Sequence, residues 1–244
     1  MYLKEFVIAN LFMSETVVMI IKVCGLRDPE NIRAVMGLGA DMIGLVFDRR
    51  NPRYVSSISS NVGLLPDYAS IQGHDLNEDG KVARVGVFGS DMPQNIITMA
   101  YNYKLDYVQL YGKNDEIMIN NLRLTLRDEI CPGIKFIKAI GIADMEDVGL
   151  WRKYKNVADM LLFYPKKQYG DDVDTKFDWS LLDYYDGDIP FIISGGIGPD
   201  DVEKVLSLTH PCMAGIDINS RFETSPAIKD ISLLKPFIES IRNG

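Results

Sequence analysis

Eight short apolar runs, each followed by a stretch of helical spacing, set the narrowest limit on what this chain can fold into. The runs occupy residues 20–24, 42–47, 85–88, 107–110, 134–140, 160–163, 191–194 and 214–218. They are mostly unbroken and bounded by turn residues, as strands covered on both faces should be. Helical spacing marks 29–38, 93–101, 115–126, 144–154, 178–185, 199–206 and 230–241. The first of these opens on Asp28-Pro29, an N-cap followed by proline at the first helical position. Alternation repeated eight times predicts parallel strands joined by right-handed crossovers. Eight such units in 244 residues predict closure into one (β/α)8 TIM barrel rather than an open doubly wound sheet. No G-x-G-x-x-G follows the first run, which also weighs against a dinucleotide fold. The second unit is the irregular one: residues 56–81 are rich in Ser, Gly, Asn and Asp and read as a short helix or loop. Residues 1–18 read as an extra N-terminal segment ahead of a single barrel domain, 19–244.

Charge and composition narrow the partners. The net charge is −8, which disfavours nucleic acid and anionic membranes as partners. A local phosphate site can still oppose that global charge, so an anionic small substrate stays open. No run approaches the ~20 apolar residues of a membrane span, and the first residues lack a signal-peptide core. Three cysteines, Cys24, Cys131 and Cys212, make a poor disulfide framework and fit a reducing cytoplasm. The two histidines, His74 and His210, have no Cys/His spacing that suggests a metal site.

Active sites of such barrels lie at the C-terminal ends of the strands. There the sequence offers Cys24, a base or nucleophile if its thiolate is favoured, or simply a small buried apolar residue. Arg53, within Arg49-Arg50-Asn51-Pro52-Arg53-Tyr54, is a carboxylate clamp or a solvated basic loop. Gly195-Gly196, after the seventh run, lets backbone N–H groups approach an anion, and could also be plain turn chemistry. A helix behind Pro199, or a short one near Asn219-Ser220, would add positive potential. Asp178 reads as a helix N-cap. Cys131 and Cys212 precede strands, away from the chemistry, and read as structural.

These residues resemble a known family. Lys22-Val23-Cys24-Gly25-Leu26, Pro52-Arg53-Tyr54-Val55-Ser56, Asp106-Tyr107-Val108-Gln109-Leu110, Phe177-Asp178-Trp179, Ser194-Gly195-Gly196-Ile197 and Gly215-Ile216-Asp217-Ile218-Asn219-Ser220 are similar to phosphoribosylanthranilate isomerases, in family order over about 20–242. The resemblance implies a step of tryptophan biosynthesis, the Amadori rearrangement of N-(5-phosphoribosyl)anthranilate, without cofactor or metal. It implies Cys24 as general base and Arg53 on the anthranilate carboxylate. It implies Gly195, Gly196, Asp217, Asn219 and Ser220 around the phosphate. Three positions depart from the family pattern. Tyr164 stands where an Asp general acid is expected. Gly170-Asp171-Asp172-Val173-Asp174-Thr175-Lys176 replaces a glycine-rich loop, and Tyr111 replaces a histidine. A phenol ionises near ~10 against ~4 for Asp, so it is mismatched to the task without tuning. Two readings follow: an isomerase whose acid is Tyr164, Asp171 or Asp172, or a paralogue that binds a phosphoribosyl ligand without this catalysis. A different sugar-phosphate isomerase on the same barrel is a third. The sequence leaves the oligomeric state open.

Overall fold

Successive side chains on a strand point to opposite faces, so each apolar run supplies two surfaces. The computed structural model of the protein describes residues 19–56, 82–166 and 175–244. In it β1 (Ile20–Cys24), β2 (Met42–Val46), β3 (Ala83–Phe88), β4 (Tyr107–Leu110), β5 (Lys135–Ile142), β6 (Met160–Pro165), β7 (Phe191–Ser194) and β8 (Met213–Ile218) run parallel in chain order. β8 returns to pair with β1, opposing Asp217 to Lys22, and the barrel is closed. One surface of each run, with Ile21, Val23, Ile43, Leu45, Phe163 and Ile193 among its members, packs outward under the helices. The other fills the interior, where Met42, Val85, Ile137, Met160, Leu162 and Ile192 meet beneath Cys24. Each such side chain contributes roughly 1.5–3 kcal/mol on burial.

The helices are α1 (Pro29–Met36), α2 (Pro93–Asn102), α3 (Glu116–Thr125), α4 (Met145–Val148), α5 (Val202–Leu206) and α6 (Ile231–Asn243). Asp28, Asp115, Asp144 and Asp230 cap four of them, each accepting a backbone N–H from the first turn. Three expected helices are tighter than the spacing suggested. Trp179–Tyr184, Pro199–Asp201 and Gly149–Lys153 are 3-10 turns, the second running into α5 and the third continuing α4. Asp178 caps the first, as the sequence indicated.

One element was not foreseen. After β8 a 3-10 turn (Ser220–Phe222) leads into a small antiparallel hairpin, β9 (Glu223–Ser225) with β10 (Ile228–Lys229). Strands of three and two residues are too short to show a period, and Ala227 turns the chain at φ +72° without a glycine to announce it. The readings of 1–18, of 56–81 from residue 57 onward, and of Asp171 and Asp172 concern positions outside the described residues.

Candidate active site

At the C-terminal ends of the strands a cavity of about 770 Å³ opens to solvent. Among the expected residues, Cys24, Tyr164, Gly195, Asp217 and Asn219 line it. Arg53, Gly196 and Ser220 are not among its walls.

Cys24 ends β1 on the inward face and is buried. Room for it comes from β2: a Cβ on Gly44 would stand 2.6 Å from the Cys24 sulfur and 3.0 Å from its Cα. Two residues back on the same face is Lys22, fully buried, whose ammonium donates to Asp217 Oδ1 at 2.7 Å. Ser194 Oγ donates to the other carboxylate oxygen at 3.0 Å. Burial pushes the Cys24 thiol above its ordinary range; the nearby Lys22 ammonium pulls it down, Asp217 pushes it up and Lys229 pulls it down. Burial works against charge on Lys22, but Asp217 together with the Cys24 sulfur outweighs it and holds the ammonium above the ordinary lysine value.

The Asp217 side chain is committed: its two oxygens are taken by Lys22 and Ser194, so it neutralises a buried ammonium and leaves only its backbone to face a phosphate.

Arg53 is not the solvated loop residue that charge alone allowed. It is neither solvated nor open: it is 7% exposed, and its Nε and Nη2 grip Glu223 of β9 at 2.8 and 2.5 Å. The bidentate carboxylate pairing read from the residue type is present, but the carboxylate is the chain's own. Glu223 also accepts from Lys229 Nζ at 2.5 Å, and Lys229 donates to Asn219 Oδ1 at 2.6 Å. Burial works against a charged Glu223, yet Arg53 and Lys229 together hold its carboxyl below the usual range.

On the β7 side Gly195 and Gly196 have φ of +99° and +62°, a region that favours glycine, and a Cβ on Gly195 would strike Pro165. The backbone N–H groups of Gly195, Gly196 and Ile197 donate to no backbone oxygen among the described residues. The helix start behind Pro199 offers less than expected. Asp201 accepts the Gly198 N–H at 2.7 Å, and Lys176 binds that carboxylate at 2.6 and 2.7 Å. The helix near Asn219-Ser220 is only the three-residue 3-10 turn.

Across the cavity, Tyr164 lies near the end of β6, with its ring over Gly141: a Cβ there would stand 3.3 Å from Tyr164 Cζ. Burial pushes its phenol up, against a smaller downward pull from Lys166. Tyr111, beyond β4, donates its O–H to Asp48, which also takes Arg50 through Nε and Nη2 at 3.0 and 2.8 Å. The Arg50 hydrogen bonds hold Asp48 well below the usual carboxylate range.

The match to known proteins follows this geometry. Residues 21–240 fit the family model of N-(5'-phosphoribosyl)anthranilate (PRA) isomerase. The chain belongs to that family. An N-(5'-phosphoribosyl)anthranilate isomerase of Parabacteroides distasonis is 38% identical over 91% of this chain and 93% of its own. One of Phocaeicola vulgatus is 36% identical over 92% and 98%. Among solved structures, a phosphoribosylanthranilate isomerase in complex with reduced 1-(o-carboxyphenylamino)-1-deoxyribulose 5-phosphate superimposes with a TM-score of 0.68. It is 25% identical, over 93% of this chain and all of that one. Within this isomerase-family chain, sequence reasoning missed the parts that charge the site: Lys22, Glu223 and Lys229. A lysine at an inward position of an otherwise apolar run was a visible signal for the first. Glu223 and Lys229 acquire their roles only through the hairpin.

Proposed function

We propose that the cavity carries out the isomerisation of N-(5-phosphoribosyl)anthranilate to the carboxyphenylamino-deoxyribulose phosphate, with Cys24 as the base. The observation that carries this is a thiol at the floor of a barrel-mouth cavity with Gly195 in its β7 wall, where the Gly195 and Gly196 amides donate to no backbone oxygen among the described residues. The phosphate sits on those amides, with Asn219 and Ser220 opposite; Lys176, already paired with Asp201, lines the same cavity. Protonation of the ribose ring oxygen opens it to a Schiff base. Cys24 takes the proton from C2, leaving an enolamine. The enolamine gains a proton at C1 and loses one from its C2 oxygen, giving the ketone. Carbon 1 is reduced as carbon 2 is oxidised, so no external redox partner enters. The anthranilate carboxylate falls to Arg53 in exchange for Glu223 or to Lys166 in exchange for Asp147, since each cation already holds a carboxylate of the chain. A cytoplasmic, reducing setting suits a base that must stay a free thiol; all three cysteines are unpaired.

The acid is Tyr164 in this reading, and its environment favours a second one. Burial makes that phenol a weaker proton donor than an exposed tyrosine, as expected of a paralogue that keeps the phosphate site and loses the chemistry. Turnover of freshly made phosphoribosylanthranilate, beside a titration with a phosphorylated product analogue, separates them. Binding with turnover supports the isomerase; binding without it supports the paralogue; neither sinks both.

A further inference from the structure

Buried charge around Cys24 does not balance. Among the described residues, Lys22, Arg53 and Lys229 pair with two carboxylates, Asp217 and Glu223, in ion pairs of 2.5–2.7 Å. Water cannot solvate the surplus, since the Lys22 and Lys229 side chains are wholly inaccessible. The group able to supply further negative charge at that point is the Cys24 sulfur, which lies two residues from Lys22 on the inward face of β1 and lines the same cavity as Asp217.

We propose that Lys22 is a positioning residue for the base: its ammonium, anchored by Asp217 on the same inward face as Cys24, favours the thiolate in the barrel mouth, and Asp217 limits how strongly it does so. This rests on the reading of Cys24 as base. The placement follows from the pleat. Lys22 and Cys24 share the inward face of β1, and Asp217 stands at the register position opposite Lys22 on β8. Ser194 fixes the second carboxylate oxygen, so Asp217 is held in place and cannot swing to another partner without breaking that bond. The charged groups facing the sulfur are Lys22 from β1, Asp217 from β8 and Lys229 from β10. Two are cations, and desolvation opposes them. Removing a cation therefore weakens the thiolate, whereas removing Asp217 frees Lys22 to bind sulfur more strongly. Opposite outcomes from the two halves of one ion pair are what a merely structural pair would not produce.

The test is the alkylation rate of Cys24 by iodoacetamide as a function of pH in the full chain, read site by site by mass spectrometry, with Cys131 and Cys212 as internal controls. In Lys22→Met the rate at pH 8 should fall about tenfold or more, a rise of at least one unit in the midpoint. In Asp217→Asn it should rise at least about threefold, and Lys22→Arg should stay near wild type. A Cys24 profile unchanged in Lys22→Met, or moving the same way in both charge-removing variants, overturns the proposal. If Lys22→Met does not fold, Asp217→Asn decides alone: faster alkylation supports it, equal or slower alkylation overturns it. The base reading is judged separately by turnover of Cys24→Ala, so a failure of one is not mistaken for a failure of the other.

Discussion

Cys24 is a poor base as an isolated buried thiol and a plausible one only through its neighbours. A base acts in the transition state, so Cys24→Ala should lower kcat by about 100-fold or more while leaving the affinity for a phosphorylated product analogue nearly unchanged. Equal turnover would remove Cys24 from the mechanism. Tyr164 is the residue at which the isomerase and paralogue readings part. A carboxyl at that half-buried position would offer a tunable acid, so Tyr164→Asp should raise kcat with little change in phosphate affinity; a loss of activity contradicts this account.

At the scale of elements, two strands carry features whose cost can be measured. β2 carries Gly44, whose missing side chain is the space that Cys24 occupies. Gly44→Ala should lower the melting temperature and cut turnover, because a methyl pressed against the Cys24 backbone displaces the thiol; unchanged turnover would show that the base does not depend on this packing. β5 carries Lys138, 3% exposed, hydrogen-bonded to Gly112 O at 3.0 Å and set over the Tyr154 ring. Burial lowers its ammonium to about 8. The sign follows: the unfolded chain binds this proton more tightly, so the penalty is full below pH 8 and gone above about pH 10.5. Lys138→Met should therefore stabilise the protein at pH 7 by about 1–3 kcal/mol, with the gain shrinking towards pH 10. Denaturant curves at both pH values check it.

For the whole molecule, the hairpin β9–β10 ties the loop after β2 to the end of the barrel through Arg53, Glu223 and Lys229. Glu223, Asp48 and Asp201 all titrate below their ordinary values. Carboxylates depressed in this way contribute stability that is complete above about pH 5 and is lost as the pH falls through their folded values. The melting temperature should be level between about pH 5 and 8 and drop below about pH 4. Glu223→Gln leaves two buried cations short of a partner, so it should cost about 3–5 kcal/mol at pH 7 and flatten the acid limb. An acid limb as steep as wild type would show that this cluster does not govern it.

The barrel was legible because its signals are local. A buried strand needs an unbroken apolar run, a helix start needs an oxygen to accept a free N–H, and Asp28, Asp115, Asp144, Asp178 and Asp230 stand where those needs arise. Cys24 and the Gly195-Gly196 turn were legible for the same reason: a strand end and a left-handed backbone each leave a mark within a few residues. What each charged group is for could not be read that way. Arg53 meets Glu223 from 170 positions away, and Lys22 meets Asp217 from 195. The sequence by itself determined the eight-unit barrel and which strand ends face solvent. Only the closure of β8 onto β1 and the folding back of the hairpin decided which charges are buried together, because an ion pair depends on separation in space, and chain separation says nothing of that.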